Sequence, residues 1–136
     1  MQNIERNKMN RPSVEEWLSE AKAEKDAGKI GMYLAHNGVV RETPRSVVRD
    51  GAEDSALVVG MNFSYDRALT EKYLAETKSM PGIYYVRLWM NEGTLKTGDD
   101  LMQILVGGDI RPHVMEALNF LIEKIKSECV TEQEII

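Results

Sequence analysis

The stretch from Gly107 to Lys126 constrains the fold more than any other part of the chain: two glycines close an apolar strand, and an amphipathic helix follows at once. At 100° per residue, Val114, Leu118, Leu121, Ile122 and Ile125 fall on one stripe roughly 100° wide, which must face a core. Asp109 is the expected N-cap, its carboxylate accepting hydrogen bonds from first-turn N–H groups. Pro112 suits a position where no N–H is needed. Lys126 lies just off the edge of the stripe, beside Met115 and Ile122. A lysine there lays its stem on apolar surface and brings its amine to the mouth of a pocket; on spacing alone it reads as a snorkelling surface residue.

The other segments alternate between the two regular structures. Residues 1–12 are polar and are expected to form a loose arm, with a single domain over 13–136. Ser13-Val-Glu-Glu16 is a capping box that predicts a helix to about Ala27, stopped by Gly28. Ile30 to His36 reads as a strand. The following Asn37-Gly38 either turns a hairpin or lets Val39-Val40-Arg41 continue past a bulge. Glu42 to Arg45, with Pro44, is expected as a loop. Ser46 to Arg49 and Ala56 to Phe63 flank Asp50–Ser55 as an expected β-hairpin. A helix is predicted over Tyr65–Ser79, a strand over Ile83–Met90, turns at Asn91–Gly93 and Thr97–Asp100, then a strand over Leu101–Val106 and a short final strand over Cys129–Ile135. Met32, Met61, Met90, Met102 and Met115 are expected as core filler. Several strands are joined too tightly for parallel crossovers, so the chain is expected to be α+β, with a mixed or antiparallel sheet packed against helices.

Composition removes several function classes. The net charge of −5 argues against a nucleic-acid backbone as the main partner. The single cysteine, Cys129, excludes an internal disulfide and a Cys-rich zinc site, and it reads as a small hydrophobe. His36 and His113 are far apart and lack metal-ligand spacing, so no metal is expected. P-loop, GxGxxG and GxSxG motifs are missing from the sequence. No apolar h-region opens the sequence and no run is long enough to span a bilayer, so a cytoplasmic setting is expected.

Three patterns, in order, resemble the large, catalytic subunit of molybdopterin synthase, the MoaE family. They are Gly38-Val-Val-Arg41 after an apolar strand, Gly93-Thr-Leu-Lys-Thr-Gly98-Asp99 before another, and Arg111 opening the helix that carries Lys126. Tyr65–Leu74, with Thr70-Glu71-Lys72, adds a similar helix. The resemblance spans roughly Gly28 to Glu134 and implies the family's α/β-hammerhead fold. It also implies an activity, the transfer of sulfur from a thiocarboxylated carrier protein to a cyclic pyranopterin monophosphate in molybdenum or tungsten cofactor synthesis. Lys126 would be the essential lysine, with Arg41, Arg111 and His36 binding substrate. The implied partners are a small ubiquitin-like sulfur carrier ending in Gly-Gly and a second copy of the chain. The pterin precursor is the substrate, and no tightly bound cofactor is expected.

One geometric constraint stands beside the resemblance. Arg111 and Lys126 are fifteen residues apart, about 22 Å along a helix, so one copy cannot easily aim both at one small substrate. A shared site would take Arg111 from a second copy. The sequence also departs from the family pattern. Ile110 stands where the family usually has histidine, Gln133 stands in place of a second active-site lysine, and the basic C-terminal tail is shortened. Glu128, Glu132 and Glu134 make the last stretch acidic, where a phosphate pocket would prefer cations. A non-catalytic paralogue that keeps the dimer and the carrier groove is the alternative expectation.

Overall fold

Strand β6, Asp100–Gly108, is buried along nearly its whole length, which explains its apolar run, interrupted only by the buried Gln103. The structure is a computed structural model that describes residues 4–5, 11–51 and 56–136. β6 lies between β2 (Met32–Val39) and β4 (Ile83–Met90), antiparallel to both. Ile4–Glu5, within the arm expected to be loose, forms a short strand, β1, parallel to β4 at the edge, so this sheet runs β1-β4-β6-β2. A second, antiparallel sheet of order β5-β3-β7 comprises Gly93–Lys96, Gly60–Tyr65 and Val130–Ile135. The α+β class and the final strand agree with expectation; the division into two sheets was not foreseen.

Helix α4 (Arg111–Lys124) covers one face of the larger sheet with Val114, Ala117, Leu118 and Leu121. Ala117 joins the buried stripe, and Ile122 is only partly buried. Met115, expected in the core, is 44% exposed, whereas Met61, Met90 and Met102 are buried. Helix α3 (Arg67–Lys78) packs beside α4 and begins at Asp66, whose carboxylate accepts the Leu69 N–H at 2.9 Å. On the opposite face, α1 (Val14–Lys22) buries Trp17 and Ala21, and Trp17 packs with Trp89 and Leu105. Ser13 caps α1 as expected, accepting from the Glu16 N–H at 3.2 Å. The helix ends at Lys22, short of Ala27: its apolar face stops at Ala21, and the next residues have nothing to bury. Gly28 instead lies in a single 3₁₀ turn, Ala27–Lys29.

Two further local expectations are corrected. Arg45–Asp50 forms a helix, α2, and not one arm of a hairpin. Pro44 precedes it in extended conformation, and Gly51 ends it at φ 68°, the left-handed region that glycine enters without a Cβ penalty. Residues 52–55 of the expected hairpin turn lie outside the described residues. Asp109 is not the N-cap of α4; Ile110 is. The Asp109 N–H is already bonded to the Gly82 carbonyl at 2.9 Å, which keeps Asp109 at the sheet end. Its carboxylate turns to the Ile110 N–H at 2.7 Å and to His113 Nδ1 at 2.6 Å. At Asn37-Gly38 the bulge alternative is the one found: β2 runs on to Val39, with a register shift after Gly38. No described helix is long and apolar enough to cross a membrane.

Candidate functional site

Past Lys124 the α4 backbone widens into a π-type turn, Ile125–Cys129, closed by the Val130 N–H donating to the Ile125 carbonyl. The wider turn keeps Ile125 and Cys129 in the core while Lys126 leaves toward the smaller sheet. Turns of this kind are frequent at functional sites. Side chains on both sides anchor it. The Tyr73 hydroxyl of α3 donates to Glu128 at 2.7 Å, and the Ser127 hydroxyl donates to the Glu123 carbonyl at 2.7 Å. Cys129 is 4% exposed, and burial pushes its thiol pKa up, so it is core and not a nucleophile.

The Lys126 amine opens into a cleft of about 60 Å³ at the junction of the two sheets. Val39 and Arg41 reach it from the end of β2, Arg45 and Arg49 from α2, Met61 from β3, and Glu132 and Glu134 from β7. The expected pair Arg41 and Lys126 is therefore brought together. Arg41 donates from Nε to the Thr43 carbonyl at 2.9 Å, which fixes its stem at the rim. His36, half-buried on β2, lies close enough to feel the Lys126 charge. Its pKa is lowered first by burial and then by that charge, so the imidazole is held neutral at neutral pH.

Arg111 does not line this cleft. It is exposed at the first position of α4, a helix of 14 residues, with about 21 Å of rise between it and the turn that holds Lys126. Near it, the Asp109 carboxylate is held below the usual range, chiefly by its bond to His113. Gln133 alternates to the exposed face of β7, whereas Glu132 and Glu134 point inward. Lys124 cannot replace a second lysine in the cleft, because its amine is taken by Glu128 at 3.2 Å and lies over the Tyr73 ring.

Sequence reasoning missed four charged members of the cleft as site residues: Arg45, Arg49, Glu132 and Glu134. Arg45 and Arg49 have i, i+4 spacing, which becomes one face once the segment is helical. Glu132 accepts from Arg45 Nη2 and from Lys126 Nζ, each at 2.9 Å, with its side chain only 6% exposed. Glu134 accepts the Arg45 backbone N–H at 3.0 Å. The motifs containing Gly38–Arg41 and Gly98-Asp99 also meet here. The Gly98 N–H donates to the Val40 carbonyl at 2.8 Å and the Val40 N–H to the Asp99 carbonyl at 2.9 Å, so each motif holds the other in place. Among the described residues, no group of three or more His, Cys, Asp or Glu could hold a metal ion.

Comparison with known proteins places this geometry. The fold resembles molybdopterin synthase from Staphylococcus aureus, with a TM-score of 0.70 and 20% identity over 99% of this chain and 92% of that one. It also resembles the molybdopterin biosynthesis MoaE protein from Burkholderia ambifaria, at 0.69 and 18%, over 96% of this chain and 83% of that one. A third likeness is the protein–protein complex of subunits 1 and 2 of molybdopterin-converting factor from Helicobacter pylori, at 0.66 and 20%, over 98% of this chain and 84% of the matched one. No curated protein matches the sequence at a significant level. The family model described as MoaE protein matches residues 8–128, nearly the whole chain, and the protein belongs to that family.

Proposed function

We propose that this chain is a molybdopterin synthase large subunit, moving sulfur from a thiocarboxylated carrier protein to a cyclic pyranopterin monophosphate in cofactor biosynthesis. The observation that carries this reading is the amine of Lys126 at a cleft ringed by Arg41, Arg45 and Arg49, in a chain of the MoaE family. Planar, permanently charged guanidinium groups suit a phosphate, and a single amine beside them suits proton transfer or transient covalent work on the pterin. We assign His36 a substrate contact on the family resemblance; it is held neutral and is not among the residues that line the cleft. The small-subunit partner is supported by the Helicobacter pylori neighbour, whose structure is a complex of subunits 1 and 2. We assign the carrier's Gly-Gly end to the cleft, a second copy of the chain as the source of Arg111, and the cytoplasm as the setting. The pterin is substrate, and no resident cofactor enters the reading.

A second reading has its own support. Glu132 neutralises part of the cationic ring, and Gln133 faces away from the cleft, as expected of a relative that binds the carrier without transferring sulfur. The deciding experiment is dithiolene formation from the pterin precursor with a thiocarboxylated carrier. Product is expected; none at high protein concentration overturns the enzyme and leaves the binding protein.

The shared site has a separate test. Mixing Arg111→Ala and Lys126→Ala proteins under subunit exchange should restore activity to about a quarter of wild type, since half the dimers are mixed and each mixed dimer holds one intact pocket. A monomer by light scattering, or no recovery despite exchange, contradicts it.

A further inference from the structure

The burial in the cleft is inverted between its anion and its cations. Glu132 is 6% exposed and uses both carboxylate oxygens, whereas its partners Arg45 and Lys126 keep 45% and 33% of their side chains in contact with solvent. Here the cations face outward and the anion lies beneath them. The cleft carries Arg41, Arg45, Arg49 and Lys126 against Glu132 and Glu134, an excess of positive charge in a chain of net charge −5. Its volume is about 60 Å³. Without a resident anion, Arg45 and Lys126 would repel each other across this small space.

We propose that Glu132 is a displaceable internal anion, seated between Lys126 and Arg45 where an oxyanion of the incoming ligand takes over. The proposal rests on the same cleft being the site, but not on sulfur transfer occurring there. A phosphate brings more charge than a carboxylate and meets the guanidinium fork in two-point geometry, so the cations favour the exchange. Among the described strands β7 pairs only with β3, at the edge of its sheet, and can yield more readily than a central strand.

The test is calorimetric titration of the full chain and its Glu132→Gln variant with pyrophosphate, and in a second arm with acetyl-Gly-Gly. These probes separate a phosphate source of the oxyanion from a peptide carboxylate. The variant should bind at least one probe about tenfold tighter or more, and the gain should disappear in the Glu132→Gln/Lys126→Ala double variant. A gain that survives in the double variant reflects net charge alone and overturns the proposal, as does equal or weaker binding of both probes. If Glu132→Gln folds only in the presence of a probe, the thermal melt carries the same support through linkage. If it folds under neither condition, Glu132 is a structural ion-pair partner and the proposal fails. None of these readouts depends on catalysis, so a chain inactive in the dithiolene assay can still pass them.

Discussion

Lys126→Ala is expected to reduce dithiolene formation by about a hundredfold to ten-thousandfold, the range over which a positioned acid, base or nucleophile acts. The fold should survive. Lys126 flanks the core at the π-type turn, Ile125 and Cys129 supply the buried contacts there, and Arg45 remains on the Glu132 carboxylate. Loss of this charged hydrogen bond, whose lysine side chain is 33% exposed, should cost about 1–2 kcal/mol, a fall of roughly 4–8 °C in melting temperature for a domain of this size. Activity and melt must be measured on the same preparation. Wild-type turnover would remove Lys126 from the mechanism, and a collapsed melt would make it a structural residue. Lys126→Arg keeps the ion pair with Glu132 but removes the primary amine, so it separates charge from chemistry.

Much of the scaffold under this residue was legible in the sequence. Gly107-Gly108, the apolar run before them and the stripe through Val114, Leu118 and Leu121 are local signals, and tertiary packing reinforces them. The failures came where local and long-range preferences disagree. Val47-Val48 reads as strand because branched residues favour pleated surfaces, yet Pro44 before the segment and Gly51 after it bound a short helix. That misreading hid Arg45 and Arg49, whose spacing has this meaning only on a helix. Asp109 has the chemistry of a cap, but its backbone is committed to the sheet end through Gly82, a contact between residues 27 positions apart. The acidity of the last stretch was visible. Its role was not, because only the pairing of β7 with β3 decides which carboxylates face Lys126.

The largest loss of stability is expected from Leu121→Ala. Leu121 is 0% exposed and lies in the main core cluster with Val114, Leu118 and Ile125. Removing its isobutyl end forfeits transfer free energy and leaves a void that the packed sheet beneath cannot fill, about 2.5–5 kcal/mol. Against a total stability of about 5–15 kcal/mol, this should lower the melting temperature by roughly 10–20 °C. Met115→Ala, on the exposed side of the same helix, should stay within about 0.5 kcal/mol of wild type. Equal losses in the two variants would mean that the helix face is wrongly assigned.

The paired bonds that Val40 makes with Gly98 and Asp99 have a kinetic meaning. They tie the turn entering β6 to the end of β2, and the cleft beside them draws on Arg41 and Arg45 at one end of the sequence and Lys126 and Glu132 at the other. Arg45 and Glu132 are 87 positions apart, so their contact must wait for a long loop to close. The cleft is therefore a late product of folding. A chain with only the larger sheet assembled has none, and catalytic competence during refolding should lag behind the appearance of secondary structure.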